Sequence, residues 1–532
     1  MSLWMLLLTL SPIAVILTML LVFKKPADIS GIAGWLVIGA VACLFFKTSV
    51  EVVARSTGAG IIRSFPVALI VAASLLQMAF MEKTGALKRI IIFIKTIASE
   101  NRAVQIMMIN IGFGTLMVAV GATPVSILPP LLIAMGYSTY VAIALPAIGY
   151  DALCTYALLG APIVVFVDIA NNFLGKGNEI SLHQAGMIFF MFLPVVSTLI
   201  GFCMLWIVGK WKAVREGWAP CLISGAVIGV VAYFTNRHDN FVVLTGILCG
   251  VAVIIAMAAY LAATGKKIID RSALTPEERA YEKAYPLWKA FSPWLLLIAL
   301  ILALNMPQTV FDYLYRTLKM PILGLTADGR PLDTRALWQA YTWIFVSTLL
   351  SMAFIRPTAE QIGETARVWI KRAPRPVFSA AIFFAIGEIM NMSGYDMASN
   401  SFVAPSMVKV LADYSADFFQ HAYGGVVAFI GLFGGFVTGS EASTIAMFAK
   451  YTMTTAKNLN LSLEGLLIVT AGLAFGGGLA SVISPAKLQN AAASIDKIGE
   501  ETKVIRIAFV FSILLTAVTS IFVLILLKAY AM

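Results

Sequence analysis

The chain has 532 residues, of which 60% are hydrophobic and only 12% are charged. Soluble domains contain roughly 45–50% apolar and about 25% charged residues, so this composition excludes a soluble protein and predicts a polytopic membrane protein. Lys and Arg outnumber Asp and Glu by 38 to 27, which gives a net charge of +11. In a membrane protein this excess is expected in cytoplasmic loops, so we do not interpret it as a nucleic-acid-binding surface.

The apolar segments follow one another along the whole chain. A transmembrane helix needs about 20 predominantly apolar residues, within a range of roughly 17–25. About sixteen segments meet or approach this length, at 3–23, 29–46, 64–81, 103–120, 124–136, 138–165, 185–209, 219–235, 241–264, 291–305, 336–355, 377–394, 421–438, 441–458, 463–483 and 505–529. We therefore predict an all-α fold with about 14–16 membrane segments, several of them too short or too polar to be simple spans.

The loop charges predict the orientation of these segments. Five loops are rich in Lys and Arg and are predicted to be cytoplasmic, namely 82–102, 210–217, 265–290, 356–376 and 486–506. Loops 166–183 and 395–420 contain one lysine each and are predicted to lie outside. Two loops that alternation also places outside depart from the pattern, because 47–63 has three basic residues and 306–335 has four. Both termini of this multi-pass protein are predicted to lie outside.

The order of segments and loop charges occurs twice, with opposite orientation. Residues 1–210 are predicted to form a first repeat and residues 291–532 a second, inverted repeat. Two linker spans and a cytoplasmic loop, 211–290, would join them. Near the centre of each repeat a hydrophobic segment is interrupted by polar residues, which predicts broken or re-entrant helices.

The polar interruptions are the best candidates for a binding site. The interruption of the second repeat is Val437–Thr444, which includes Gly439, Ser440, Glu441 and Ser443. A weaker one in the first repeat is Val120–Ser126, which includes Gly121 and Thr123. An unpaired polar group facing lipid costs roughly 2–7 kcal/mol, so both must line a cavity or a protein interface. Two such breaks, one per half, are typical of a transporter.

Three acids lie in apolar surroundings and are candidates for proton or cation coupling. Glu441 lies in the first turn of a predicted helix. Asp151 lies in the middle of an apolar stretch, and Glu388 lies in another apolar stretch, three residues before Asn391. A carboxylate buried in a membrane is a functional candidate by default. The structural alternatives stay open, since Glu441 could act as a helix-capping acid and the other two as hydrogen-bonded structural acids.

A carboxylate substrate requires hydrogen-bond donors or a cation. Backbone N–H groups at the starts of the two half-helices could supply the donors, and the hydroxyls beside them could assist. Lys450 and Lys487 are charged alternatives. Lys450 could instead extend its ammonium group towards the membrane surface, and Lys487 could be one more basic residue of a cytoplasmic loop.

Several stretches of this sequence resemble the L-lactate permease family, which carries lactate and glycolate with protons. The resemblance is best over about 391–506, where it rests on three motifs: Asn391-Met392-Ser393-Gly394, Leu432 through Thr438-Gly439-Ser440-Glu441-Ala442-Ser443, and Val482-Ile483-Ser484-Pro485. It continues more loosely through Lys83-Thr84-Gly85, Phe113-Gly114, Pro124-Val125 and Gly160-Ala161-Pro162. The resemblance implies an inner-membrane symporter of a 2-hydroxymonocarboxylate and protons.

The sequence also departs from that family's pattern. The segment 118–124 lacks an acid that lactate permeases usually have there, and Ser481 replaces a lysine. Glu441 replaces an aspartate, and Asp151 replaces a residue that is commonly neutral. We therefore expect a divergent member in which Asp151 and Lys487 have taken over part of the substrate or coupling chemistry.

The resulting hypothesis is a secondary transporter that imports lactate or a related 2-hydroxy acid with protons. The predicted substrate-binding residues are Gly121, Thr123, Ser126, Asn391, Ser393, Gly439, Ser440, Ser443, Thr444, Ser484 and Lys487, and the predicted coupling residues are Asp151, Glu388 and Glu441. A sodium-coupled carrier of another organic anion is the nearest alternative, followed by an anion channel.

The sequence has no catalytic constellation for an intramembrane enzyme. Five scattered cysteines and three histidines predict neither disulfides nor a metal site, and we expect no cofactor. The partners would be the anion, the coupling ion and the lipid bilayer, and a homo-oligomer stays open.

Overall fold

The computed structural model describes residues 3–98, 100–272, 274–497 and 499–530. Two predicted site residues, Ser126 and Asp151, have side chains that lie outside the described part.

The described chain is built almost entirely of helices. The α-helices are α1 (Leu3–Leu21), α2 (Ala27–Phe45), α3 (Val50–Arg63), α4 (Phe65–Lys83), α5 (Ala86–Lys95), α6 (Arg102–Ile106), α7 (Gly114–Ala119), α8 (Pro124–Ala134), α9 (Thr139–Gly149), α10 (Ala157–Leu174), α11 (Leu182–Phe189), α12 (Leu193–Thr235), α13 (Asp239–Val242), α14 (Thr245–Ala263), α15 (Pro276–Ala284), α16 (Leu287–Asn305), α17 (Gln308–Phe311), α18 (Ala340–Ile355), α19 (Ala359–Arg372), α20 (Pro374–Met392), α21 (Met407–Phe419), α22 (Tyr423–Thr438), α23 (Glu441–Asn458), α24 (Leu463–Leu479), α25 (Pro485–Ala493) and α26 (Glu501–Tyr530). Two π-helical segments, Met107–Phe113 and Asp312–Thr317, and four 3-10 segments, Tyr150–Tyr156, Phe190–Phe192, Gln420–Ala422 and Ala480–Ile483, adjoin them. Two short antiparallel strand pairs lie in loops, β1 (Met320–Ile322) with β2 (Leu332–Thr334) and β3 (Tyr395–Asp396) with β4 (Ser401–Phe402).

The length and composition of these helices confirm a polytopic membrane protein. Within the described residues, eleven helical stretches are long and apolar enough to cross a membrane, and three shorter apolar helices accompany them. One of the eleven contains α12, whose backbone is non-helical at Gly209 and Lys210, so α12 consists of two helices. Large apolar side chains such as Ile255 and Ile525 are exposed, as expected for a surface that faces lipid tails.

The predicted loop 47–63 is a helix instead. After Lys47, helix α3 runs from Val50 to Arg63 and continues at Ser64 into α4. Its backbone lies so close to α20 that a Cβ atom added at Gly60 would be 2.4 Å from the Ala385 Cα. The prediction was wrong because the polar residues of α3 were interpreted as exposed loop residues, although they lie on a helix that packs against α20.

Each half of the chain contains a helical hairpin with a polar tip. In the first hairpin, 102–134, the Tyr137 hydroxyl just beyond α8 donates a hydrogen bond to Gln105 at 2.9 Å, so the end of the hairpin returns to its start. In the second, 423–458, the rings of Tyr423 and Tyr451 lie 6.4 Å apart and close the hairpin in the same way. The first tip is 120–123 and the second is 438–440. The two tips confirm the predicted broken helices.

An interrupted helix follows each hairpin. The first, 139–174, contains the 3-10 segment and three residues with left-handed backbone, Leu158, Leu159 and Gly160. The second, 463–493, contains Ala480–Ile483 and restarts at Pro485. Helix interruptions leave backbone groups without helical partners, so these segments lie inside the protein where other groups can bond to them.

Small residues allow the second hairpin to contact the second interrupted helix closely. A Cβ atom added at Gly431 of α22 would lie 2.0 Å from the Leu473 carbonyl oxygen of α24, and one at Gly435 would lie 2.1 Å from the Gly477 carbonyl oxygen. Glycines four residues apart on one helix face are typical of close helix contacts in membranes.

We expect Gly431→Ala to destabilise the protein by about 1–3 kcal/mol, because the added methyl group would collide with the α24 backbone. Denaturant unfolding in detergent would measure this. Gly363→Ala is the matched control, since nothing lies within 4 Å of its added Cβ. Equal stabilities of the two variants would contradict the close contact.

Candidate functional site

The second tip is shaped by its own hydroxyl groups. Gly439 has a positive φ of 70°, which ends α22, and Ser440 caps α23 by accepting a hydrogen bond from the Ser443 N–H at 3.4 Å. The Thr438 hydroxyl accepts a hydrogen bond from the Ser440 N–H at 3.2 Å, and the Thr444 hydroxyl donates one to the Ser440 carbonyl at 2.9 Å. Together with Thr438, the predicted binding residues Gly439, Ser440, Ser443 and Thr444 therefore hold the tip in its conformation.

Glu441 links the second tip to the first half of the chain. Its side chain is 2% exposed, and its Oε1 accepts a hydrogen bond from the Thr155 hydroxyl at 2.7 Å. Its Oε2 lies against α24, where a Cβ atom added at Gly478 would be 2.7 Å away. Glu441 lies in the first turn of α23, where the helix dipole favours an anion, but its carboxylate also reaches the first interrupted helix. Glu441 is therefore more than a helix-capping acid, because its side chain also contacts the other half of the chain.

The first tip adjoins the same interrupted helix. Gly121 has a positive φ of 89°, and a Cβ atom there would lie 2.1 Å from the Ser74 hydroxyl oxygen and 3.5 Å from Leu158. Thr123 precedes Pro124 at the start of α8 and makes no side-chain capping hydrogen bond. Because Leu158 follows Thr155 by three residues, the first interrupted helix connects the first tip with Glu441.

Ser484 and Lys487 lie at the restart of the second interrupted helix. Ser484 is buried and precedes α25 without making a side-chain capping bond. Its hydroxyl oxygen would be 3.7 Å from a Cβ atom at Gly439, which places Ser484 beside the second tip. Lys487 is half-buried in the first turn of α25.

A large cavity of about 950 Å³ approaches the second hairpin from the side of the loops 166–183 and 306–335. Its base includes Arg63, Glu388, Asn391 and Ala446. The Arg63 guanidinium contacts the Glu388 carboxylate at 2.9 Å, and the two side chains are 26% and 8% exposed. Like the Glu441 bond, this ion pair joins the two halves of the chain.

Arg63 was not among the predicted site residues. The available signal was the unexpected positive charge of the segment 47–63. The sequence could not identify Glu388 as the partner of Arg63, because the two residues are 325 positions apart.

The rim of the cavity is lined by ion pairs. The four basic residues of the segment 306–335 each contact an acid, in the pairs Arg316 with Asp239, Lys319 with Asp333, Arg330 with Asp328 and Arg335 with Asp168. The guanidinium of Arg335 also lies 4.6 Å from the centre of the Tyr315 ring. These contacts give the basic residues of the segment a structural role at the rim.

The surroundings of the Arg335 guanidinium favour its charged form. Burial on its own would lower the pKa of this group, but Asp168, Tyr315 and Asp333 together outweigh burial and raise it. Burial likewise raises the pKa of the Tyr315 hydroxyl, so that group stays neutral.

Of the remaining predicted residues, Asn391 lines the cavity and Ser393 forms hydrogen bonds with the backbone. Asn391 is 6% exposed and lines the cavity base. Ser393 has no such role, because its hydroxyl donates to the Met390 carbonyl at 2.9 Å and accepts from the Met407 N–H at 2.8 Å. Among the residues that the structure describes, no group of three His, Cys, Asp or Glu side chains is placed to hold a metal ion.

Comparison with known proteins gives a consistent assignment. The family model described as L-lactate permease matches residues 5–530. The chain is 25% identical to the glycolate permease GlcA of Escherichia coli K12, over 98% of this chain and 95% of that protein. It is 24% identical to the L-lactate permease of Salmonella typhi, over 92% of this chain and 90% of that protein, and 23% identical to that of Escherichia coli K12, over 91% and 88%.

Among solved structures, the chain is similar to Neisseria gonorrhoeae MtrF, which is described as illuminating a class of antimetabolite efflux pumps. The two are 13% identical with a TM-score of 0.41, over 87% of this chain and 81% of MtrF. The family match over nearly the whole length carries the assignment. The chain belongs to the L-lactate permease family and is a multi-pass membrane transporter, not an enzyme.

Proposed function

We propose that this protein imports a small 2-hydroxy monocarboxylate, lactate or glycolate, together with protons. The substrate class is supported by the family and by relatives that are named L-lactate permease and glycolate permease. The observation that carries the mechanism is the buried hydrogen bond between Glu441, at the tip of one hairpin, and Thr155, in the interrupted helix of the other half.

The two hairpins are proposed to enter the membrane from opposite sides. The base of the first adjoins the basic segment 82–102, which is predicted to be cytoplasmic. The base of the second adjoins α21, where Ser415 and Tyr451 share a hydrogen bond of 2.8 Å, in a region predicted to lie outside. This arrangement supports an inverted repeat in which one half moves against the other to expose the substrate alternately to each side.

Glu441 is the proposed proton carrier. A carboxylate buried inside a membrane protein is costly to keep ionised and can be neutralised by a proton. Glu388 is a weaker candidate, because its carboxylate already forms an ion pair with Arg63 at 2.9 Å. Movement of the second hairpin would separate Glu441 from Thr155 and expose the carboxylate for protonation or proton release.

We expect Glu441→Gln to abolish the accumulation of L-lactate that an inward proton gradient drives in proteoliposomes, because glutamine cannot carry a proton. Exchange of internal for external lactate should persist, since it needs no net proton movement. Glu441→Asp, which keeps the carboxylate, should retain partial activity. Normal proton-driven uptake by Glu441→Gln would exclude this residue as the carrier, and uptake that depends on sodium would favour the sodium-coupled alternative.

Removing the Thr155 hydroxyl should weaken the contact between the two halves. Hydrogen bonds to charged groups contribute about 1.5–3 kcal/mol, so Thr155→Val should lower both the melting temperature and the uptake rate. Thr155→Ser keeps the hydroxyl and should behave like the wild type. If valine and serine variants transport equally well, the hydrogen bond has no functional role.

The proposed orientation predicts which loops react with a membrane-impermeant maleimide in intact cells. Lys176→Cys is exposed at the cavity rim and should react from outside, whereas Glu360→Cys, exposed at the start of α19, should react only after permeabilisation. The wild type has five native cysteines, so its labelling gives the background that is subtracted from each variant. The reverse labelling pattern would invert the proposed topology.

A further inference from the structure

The short stretch that carries Thr155 is not part of a continuous helix. Leu153 has a non-helical backbone, with φ −136° and ψ 42°, and Ala157 is extended, with φ −62° and ψ 155°. The regular i→i−4 hydrogen bonds that fix a helix are therefore interrupted on both sides of the stretch 154–156. Contacts with other parts of the protein have to set the direction in which the Thr155 hydroxyl points.

Tyr156, the next residue, makes such a contact. Its side chain is 0% exposed, and its hydroxyl donates a hydrogen bond to the Asn236 Oδ1 at 2.8 Å. Asn236 is the first residue of the connection between α12 and α14, residues 236–244. Two neighbouring residues therefore bind different parts of the protein. Thr155 contacts Glu441 at the second tip, and Tyr156 contacts the α12–α14 connection.

Several hydrogen bonds hold Asn236 in place. Its Nδ2 donates to the Ala232 carbonyl at 2.8 Å and to the Thr245 hydroxyl at 3.3 Å, and its backbone carbonyl oxygen lies 2.7 Å from the His183 Nδ1. With the bond from Tyr156, both amide hydrogens and the amide oxygen of the side chain are paired. A buried polar network in which every group is paired is rigid, so Asn236 is a fixed anchor for the Tyr156 hydroxyl.

Close backbone contacts support the same part of the interrupted helix. A Cβ atom added at Gly246 of α14 would lie 2.8 Å from the Tyr156 carbonyl oxygen. One added at Gly160, four residues further along, would lie 3.2 Å from the Cα of Val243 in the α12–α14 connection. The interrupted helix is thus packed against this connection and α14 on both sides of its left-handed residues.

We propose that Tyr156 is a positioning residue for the proton carrier. Its hydrogen bond to Asn236 fixes the stretch 154–156, and this directs the Thr155 hydroxyl towards the Glu441 carboxylate. Tyr156 acts through Thr155 and not on the proton itself. The role rests on the proposed function, in which Glu441 carries the proton.

This anchoring fits the proposed movement of the second hairpin. When that hairpin carries Glu441 away, Thr155 stays with the α12–α14 connection, because the Tyr156 bond does not involve the hairpin. The carboxylate therefore returns to the same hydroxyl donor in every transport cycle.

The pH dependence of lactate exchange, measured in proteoliposomes with equal pH on both sides, tests the role of Tyr156. In the proposed mechanism lactate binds the protonated carrier, so exchange should slow as the pH rises through a midpoint. A hydrogen bond from Thr155 favours the charged carboxylate, so Thr155→Val should move the midpoint upward by roughly one pH unit. Tyr156→Phe should move it in the same direction by roughly half a unit or more, and so should Asn236→Ala, which removes the same bond from the other side.

The double variant Thr155→Val/Tyr156→Phe gives the decisive comparison. Once the Thr155 hydroxyl is gone, Tyr156 has nothing left to direct, so its mutation should cause no further shift of the midpoint. A purely structural role for Tyr156 predicts slower exchange with an unchanged midpoint. An unchanged midpoint in Tyr156→Phe, or an additional shift in the double variant, would overturn the positioning role.

Two controls identify the titrating group and the general effect of losing a buried hydroxyl. Glu441→Gln should exchange lactate at a rate that does not depend on pH over this range, which assigns the midpoint to Glu441 and not to the neighbouring Cys154 thiol or the Tyr156 hydroxyl. Tyr137→Phe makes the same chemical change at another buried tyrosine, whose hydroxyl donates to Gln105 at 2.9 Å, and should leave the midpoint unchanged.

Denaturant unfolding of the same variants in detergent keeps the two proposals apart. The effects of Thr155→Val and Tyr156→Phe on the free energy of unfolding should be non-additive, because one residue orients the other. If the wild type accumulates L-lactate but Tyr156→Phe leaves the midpoint unchanged, the positioning role fails and the proposed function stands. If the wild type transports no 2-hydroxy acid, the proposed function fails, and non-additive unfolding would still support the orientation of Thr155 by Tyr156. Additive unfolding in that case would overturn both.

Discussion

A charge buried inside a membrane protein must find its partner within the protein, because lipid tails offer none. In this chain two buried acids of the second half meet that requirement with residues of the first half. Glu441 accepts a hydrogen bond from Thr155, and Glu388 forms an ion pair with Arg63. Both contacts cross between the halves, so any movement of one half against the other has to break or replace them.

The two contacts differ in strength and therefore suit different tasks. An arginine–carboxylate pair favours the ionised acid, and breaking a buried pair by removing one partner is strongly destabilising. A hydrogen bond from a hydroxyl contributes less, about 1.5–3 kcal/mol when it is made to a charged group. Arg63 therefore holds Glu388 more firmly than Thr155 holds Glu441, in keeping with the proposed role of Glu441 as the proton carrier.

Close backbone packing positions the Glu441 contact. Gly431 and Gly435 bring α22 against α24, and Gly478 leaves space for the Glu441 carboxylate. Helix α23 extends from Glu441 at the tip past Ala446, which lines the cavity. One helix therefore connects the proposed proton carrier with the cavity.

The sequence by itself determined the membrane class, the helical fold and the two polar tips. Those features depend on local properties, namely apolar length, glycine and the cost of placing polar residues in lipid. Only the tertiary structure decided which polar residues meet. It assigned the hydroxyls of Thr438, Ser440 and Thr444 to the second tip itself, and it joined Thr155 to Glu441 and Arg63 to Glu388, across 286 and 325 positions of the chain. Such pairs arise from helix packing, which no pattern of neighbouring residues in a single sequence records.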